Sequence, residues 1–237
     1  MGRAVLSALI LWSAVSFGFE RTSISTEALY TAEQAQDAKY ETKLSFLNFP
    51  GSGWTDELLL DHIKGLTQVY LQCGLKLSEI SVFSSPDLQL PPTLEKYAKE
   101  GPTSLEALAA KAIDLPHPLV FLIGGLADTE ATPFARANFI DSPPAPTALQ
   151  NTLWFPVYVN STPYIEERKK SPYSSLAHEL THILTLDGDH NNDPTPNLMT
   201  IYLRRANTLT PEQCKEIVSS EFVKPIPRGQ HLAKLID

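Results

Sequence analysis

The sequence is poor in basic residues. It contains 19 lysines and arginines against 27 acidic residues, which gives a formal net charge of −8 at pH 7. A surface that binds nucleic acid needs clustered Lys and Arg side chains, but the basic run at 168–170 directly follows Glu166 and Glu167. The charge balance therefore argues against a nucleic-acid-binding protein.

Long apolar runs are also scarce. The apolar stretch within residues 1–16 follows Arg3 and gives way to small residues, including Ala14 and Ser16. This layout is that of a secretory signal peptide, and the stretch is too short to span a bilayer comfortably. We therefore predict that residues 1–16 are removed, and that the mature protein is secreted or periplasmic without membrane attachment.

Only two cysteines are present, Cys73 and Cys214. In an exported protein these two cysteines can form a disulfide, whereas in a cytosolic chain they would be reduced. Two buried free thiols are the alternative.

Internal repeats and low-complexity tracts are absent, and 43% of the 237 residues are hydrophobic. This composition supports one good-sized core, so we predict a single domain over residues 17–237. Hydrophobic periodicity predicts strands at 43–49, 75–83, 118–125, 134–140 and 152–160. It predicts helices at 56–73, 104–113 and 172–187, and a last helix after Thr210-Pro211. The order favours an α+β or α/β domain with a mixed sheet.

The sequence HELTH, residues 178–182, carries a zinc-binding pattern. It falls in the helix that Ser171 and Pro172 are expected to begin and that runs to about residue 187. Four residues advance a helix by slightly more than one turn, so His178 and His182 project side by side and can hold one metal ion. Glu179 lies beside them as a candidate general base for metal-assisted hydrolysis.

The segment from His178 to Met199 resembles the signature of the metzincin superfamily of zinc peptidases, H-E-x-x-H-x-x-G-x-x-H followed by a Met-containing turn. The match is partial, because the family's glycine position falls on Thr185 and its third histidine position on Gly188. The resemblance implies a metzincin-like catalytic domain with a mixed twisted sheet, an active-site helix and a C-terminal helix. It also implies Zn²⁺ as cofactor, a polypeptide substrate and a supporting Met-turn at Met199.

Three further expectations follow from this resemblance. The first and last helices of such a domain can approach each other, which would join Cys73 to Cys214 in an oxidising compartment. A substrate peptide would add as a strand along the sheet edge near residues 134–140. Tyr202 lies three residues after Met199, whereas some metzincins have a tyrosine two residues after the methionine, so a supporting role and a packing role both stay open for Tyr202.

Several residues compete to be the third metal ligand. His190 is favoured, because neutral imidazole is a good zinc donor and Gly188 permits the chain to reverse. Asp187 and Asp189 are alternatives, since some metzincin-like enzymes use Asp. A more distant alternative is Glu216 of the last helix, which would make the site similar to that of thermolysin-type peptidases.

The same segment contains half of a calcium-loop pattern. Acidic and amide residues alternate over residues 187–193 as in the first half of an EF-hand. The sixth position is Asn192 instead of Gly and the twelfth is Leu198 instead of Glu, so the sharp turn and the bidentate ligand are missing. An exposed polar turn accounts for the alternation equally well.

Two classes of function remain. The first is a secreted zinc metallopeptidase in which His178, His182 and His190 bind zinc and Glu179 is the general base. The second is a non-catalytic exported binding module on the same fold with a structural or vestigial metal. Glu179 favours the enzyme, because a structural zinc site has four protein ligands and no use for a carboxylate beside an open position. No feature of the sequence specifies an oligomeric state.

Overall fold

A computed structural model describes residues 18–89, 104–124, 147–157, 174–187, 190, 196–200 and 206–227, together with the backbone of 134–136. The predicted signal peptide lies outside these residues. In the described ranges no helix has the length and apolar character needed to cross a membrane.

Seven described strands form one mixed sheet. The strands are β1 (Glu20–Ile24), β2 (Tyr40–Asn48), β3 (Leu75–Ser84), β4 (Leu119–Ile123), β5 (Phe134–Arg136), β6 (Thr152–Pro156) and β7 (Val223–Pro225). Their order is β1-β3-β2-β4-β6-β5, and β7 pairs with the start of β2. Strands β3, β2, β4 and β6 are parallel, whereas β1, β5 and β7 pair antiparallel with their neighbours. Strands β1 and β5 are therefore the two ends of the strand order.

Helices cover both faces of this sheet. They are α1 (Ala32–Asp37), α2 (Asp56–Tyr70), α3 (Ser104–Lys111), α4 (Ser175–Thr185) and α5 (Pro211–Val218). In β4, Val120 and Leu122 join a hydrophobic cluster with α2, α4 and α5, whereas Phe121 and Ile123 join a second cluster with α3. Successive strand residues point to opposite faces, so this alternation divides the core into two layers. The α+β architecture with a mixed sheet agrees with the sequence prediction.

Helix α2 shows why the central elements could be predicted. The Thr55 side chain accepts a hydrogen bond from the Leu58 N–H at 3.3 Å and caps the start of the helix. A 3₁₀ turn (Leu71–Cys73) extends the helix, and Gly74 ends it in the left-handed conformation at φ 65°. The prediction of one helical segment from 56 to 73 is confirmed, with the last turn tightened.

Three short elements were not predicted: β1, α1 and β7. Strand β1 has four exposed residues followed by the half-buried Ile24, so it carries no alternating apolar pattern. Its conformation comes instead from antiparallel pairing with β3, for example Thr22 opposite Val82. Such tertiary pairing has no local sequence signal.

Helix α4 begins later than the sequence predicted. The predicted cap Ser171 lies outside the described residues, and the observed N-cap is Ser174, whose Oγ accepts from the Ala177 N–H at 3.2 Å. A Cβ added to Gly65 of α2 would lie 3.4 Å from the Ser174 Oγ, so α2 packs closely against this end of α4. The prediction was wrong because serines at 171 and 174 have equal capping potential and tertiary packing selects between them.

The same helix ends earlier than expected. Leu186 adopts the left-handed conformation at φ 54° and terminates α4 at Thr185, whereas the prediction placed the reversal at Gly188, which lies outside the described residues. A leucine in this conformation costs about 1–2 kcal/mol relative to right-handed backbone. The early turn brings the Asp187 carbonyl back to α4, where it accepts a hydrogen bond from His182.

The structure joins Cys73 and Cys214 in a disulfide between the end of α2 and helix α5. The two cysteines are 141 residues apart in sequence. Closing a loop of this length lowers the entropy of the unfolded chain and contributes about 5 kcal/mol to stability. The bond fixes α5 beside the end of α2, and α5 also contacts α4.

Candidate metal centre

Two histidines of α4 project from the side of the helix that does not enter the hydrophobic core. The core side of the helix consists of Leu176, Ala177, Leu180, Ile183 and Leu184. His178 and His182 are one turn apart, are 1% and 6% exposed, and have ring centroids 4.8 Å apart. The helical spacing therefore places both imidazoles side by side in a nearly dry environment.

The three histidines singled out in the sequence meet at their Nε2 atoms. His178 Nε2 lies 3.1 Å from His190 Nε2 and 3.3 Å from His182 Nε2. The three potential ligand atoms all lie within 4.8 Å of one another. Two nitrogens bound to one tetrahedral zinc at about 2.05 Å would be about 3.3 Å apart. The two distances that involve His178 therefore match those expected at one zinc ion.

Backbone carbonyls fix the orientation of two of these rings. His178 Nδ1 lies 2.7 Å from the Leu198 carbonyl oxygen, and His182 Nδ1 lies 2.6 Å from the Asp187 carbonyl oxygen. A carbonyl only accepts hydrogen bonds, so each Nδ1 carries a proton, and the neutral ring has its lone pair on Nε2. Metal-binding histidines are typically oriented in this way by a partner on the other ring nitrogen.

Facing lone pairs repel each other unless something positive lies between them. A proton shared by two rings satisfies only one pair of nitrogens, whereas one divalent cation interacts favourably with all three. Three neutral imidazoles with a remaining open position are the ligand set of a common type of catalytic zinc site. The histidine geometry accordingly points to a metal centre.

A tight turn supplies the carbonyl that orients His178. In this turn the Met199 N–H donates to Asn197 Oδ1 at 2.8 Å, and the Asn197 N–H donates to Thr200 Oγ1 at 2.7 Å. The side chains of Asn197 and Thr200 thereby fix the backbone, and Leu198 presents its carbonyl to His178. Met199 itself is buried and lines a cavity of about 270 Å³ together with His190.

The carboxylates of Asp187 and Glu216 do not join the histidine cluster. Within the described part of the chain, the group of side chains positioned for one metal ion is His178, His182 and His190. Asp187 contributes its backbone carbonyl, and its side chain is exposed. Glu216 is exposed on α5 at the wall of the same cavity as His190. Asp189, Tyr202 and the calcium-loop positions 191–193 lie outside the described residues.

Glu179 is the one acidic side chain that is buried among the described residues. It follows His178 in α4 and is 9% exposed. Burying a carboxylate is costly, and such residues are rarely buried without a specific partner or role. Its burial in the same helix as His178 and His182 is a second unusual feature of α4.

Sequence reasoning missed a second layer of residues that holds α4 in place. Tyr70 of α2 is fully buried, and its hydroxyl lies 3.3 Å from Thr181 Oγ1 and 3.4 Å from the Ala177 carbonyl oxygen. Burial raises the pKa of Tyr70 well above its ordinary value, so the hydroxyl keeps its proton and can donate. In the sequence Tyr70 falls among the apolar residues of the predicted helix 56–73, so nothing there marks its hydroxyl as a contact of α4.

Comparisons with known proteins add little to this geometry. No family model matches the sequence, and no curated protein matches it. Among solved structures, the chain is similar to metalloproteinase-II from Bacteroides fragilis, with a TM-score of 0.47 and 14% sequence identity over 76% of this chain and 53% of that chain. The chain thus spans about half the length of this neighbour. The functional proposal therefore rests on the histidine cluster and not on this likeness.

Proposed function

We propose that this protein is a secreted zinc-dependent endopeptidase of the metzincin kind. His178, His182 and His190 would hold the ion through their Nε2 atoms. The observation that carries the proposal is the convergence of three Nε2 atoms, two of them on rings whose Nδ1 atoms donate to carbonyls. Three histidine ligands leave a position for substrate and water, as in catalytic zinc sites.

When bound, zinc supplies a Lewis acid that polarises the substrate carbonyl and lowers the pKa of water. In our proposal the Glu179 carboxylate accepts a proton from the attacking water and then donates it to the leaving amine. Its burial in α4 keeps it away from bulk solvent. Met199 supports the site from the cavity wall that it shares with His190.

Two features support export. The disulfide between Cys73 and Cys214 is typical of proteins that fold in an oxidising compartment. The first 16 residues have the layout of a signal peptide. We infer that the mature chain acts outside the cytoplasm.

A direct test of the proposal combines metal analysis with a cleavage assay. Purified protein should contain one zinc per chain and should cut an unfolded polypeptide. A chelator should stop the cleavage, and added zinc should restore it. Absence of stoichiometric metal, or cleavage that survives complete chelation, would reject the zinc peptidase.

The proposed substrate site is the edge of β5, which pairs only with β6 among the described strands. This strand lies at one end of the strand order and beside α4, which carries two of the ligands. An extended peptide can add to such an edge through backbone hydrogen bonds. The bound peptide would then run alongside the helix that carries the proposed site.

Ala137→Pro should weaken peptide cleavage more than zinc binding, because proline removes a backbone N–H next to β5 and disfavours strand pairing. Ala137 itself lies outside the described residues. Ala137→Ser keeps the N–H and serves as the control. Equal turnover in the proline and serine variants would count against this placement of the substrate.

A further inference from the structure

Residues 206–209 connect the start of the metal-binding helix to the rest of the site. The Asn207 Oδ1 accepts a hydrogen bond of 2.6 Å from the backbone N–H of Ser174, the N-cap of α4. The Ser174 carbonyl in turn accepts from the backbone N–H of His178 at 2.9 Å. The Asn207 side chain is therefore two hydrogen bonds away from the backbone of a proposed ligand.

The same segment pairs with the turn that orients the His178 ring. The Leu198 N–H donates to the Thr208 carbonyl at 2.8 Å, and the Ala206 N–H donates to the Asn197 carbonyl at 3.1 Å. Both bonds are made by the Asn197–Leu198 peptide unit, which directly precedes the Leu198 carbonyl that receives the His178 Nδ1 proton. The backbone and the ring of His178 are thus attached to one short segment.

Gln72 holds this segment from the opposite side. Its Nε2 donates to the Asn207 carbonyl at 2.6 Å, and its Oε1 accepts from the Leu209 N–H at 3.3 Å. Both ends of the amide are used, as in the pairing of two strands. Gln72 is also adjacent to Cys73, whose disulfide to Cys214 ties down the following helix α5.

We propose that Asn207 and Gln72 are positioning residues that set the orientation of His178 as a metal ligand. Loss of either side chain would free residues 206–209 to shift, which would move the Leu198 carbonyl relative to the His178 ring. The lone pair of His178 Nε2 would then point less accurately at the ion. This inference rests on the proposed function, because it assumes that the histidines bind zinc.

Asn207→Ala and Gln72→Glu test the proposal. Each should lower the affinity for zinc by about 10- to 100-fold, the usual effect of losing an outer-shell partner. In cobalt-loaded protein, the visible absorption bands, which report ligand geometry, should shift as well. Gln72 is exposed, so the glutamate is tolerated in the fold while it removes the donor to the Asn207 carbonyl. Asn207→Asp retains an acceptor for the Ser174 N–H, so its zinc affinity should be close to that of the wild-type protein.

Thr55→Ala is the matched control, because it removes one hydrogen bond at the start of a helix that carries no ligand. It should lower the Tm and leave zinc affinity and the cobalt spectrum unchanged. Equal loss of zinc affinity in Thr55→Ala and Asn207→Ala would overturn the proposal, as would unchanged affinity and spectrum in both Asn207→Ala and Gln72→Glu. A wild-type chain that binds no zinc would overturn the proposed function as well, so the two failures are distinguishable.

Discussion

Glu179→Gln should retain zinc while hydrolysis of a peptide substrate falls by about 10²- to 10⁴-fold, the usual contribution of a general base. The glutamine keeps the size and shape of the side chain but cannot accept the proton. Since Glu179 does not belong to the histidine cluster, its replacement leaves the three Nε2 donors in place. The measurement is zinc content and kcat/KM on the same preparation.

The exposed Glu216 is a suitable control for this variant. It lines the cavity beside His190 but lies on α5, whereas Glu179 lies on α4. Glu216→Gln removes the same charge and should preserve most of the activity. Full activity in Glu179→Gln would refute the proposed mechanism, and loss of zinc from Glu179→Gln would make Glu179 a ligand or a structural support instead of a base.

The second large effect is expected from His190→Ala, which should lose zinc and activity together. Four-ligand zinc sites bind with an apparent free energy of about 10–16 kcal/mol, so one ligand contributes about 3 kcal/mol or more. Removing His190 should therefore weaken zinc binding by more than about 100-fold. Competition with a chelator of known affinity measures the change.

Asp187→Asn tests whether Asp187 acts through its carboxylate, as a metal ligand, or only through its backbone carbonyl. His182 Nδ1 donates to the Asp187 carbonyl and not to its carboxylate, so the asparagine variant should keep most of its zinc and activity. Asp189→Asn should do the same under this proposal. Zinc loss in Asp189→Asn combined with retention in His190→Ala would transfer the third ligand to Asp189.

The parts of the fold that could be predicted are those whose structure depends on the residue types within the element itself. Thr55 and Gly74 mark the two ends of the segment that includes α2, because a capping hydroxyl and a left-handed backbone are local requirements. The apolar run of β4 identifies a strand that is buried on both faces. The spacing of His178 and His182 likewise reflects one turn of a helix.

The orienting groups of the candidate site were not predictable in the same way. The partners of His178 and His182 are the main-chain carbonyls of Leu198 and Asp187. Every residue has a main-chain carbonyl, so the residue type does not reveal which carbonyl accepts the hydrogen bond. Asn207 acts through contacts with parts of the chain that are far away in sequence, such as Gln72. Leu186 in the left-handed conformation contradicts its local preference, so the sequence predicted that the helix runs to about residue 187 and reverses at Gly188.

The bond between Cys73 and Cys214 has a consequence for a chain that is proposed to cut polypeptides. All three histidines and Glu179 lie between the two cysteines in sequence. If one molecule nicks another at any single peptide bond in this interval, the two fragments stay covalently linked. Self-digestion there would go unseen in a non-reducing gel and would appear as separate bands only after reduction. Nicked molecules would therefore co-purify with intact ones by size. The fraction of nicked molecules in an active preparation has to be measured on a reducing gel.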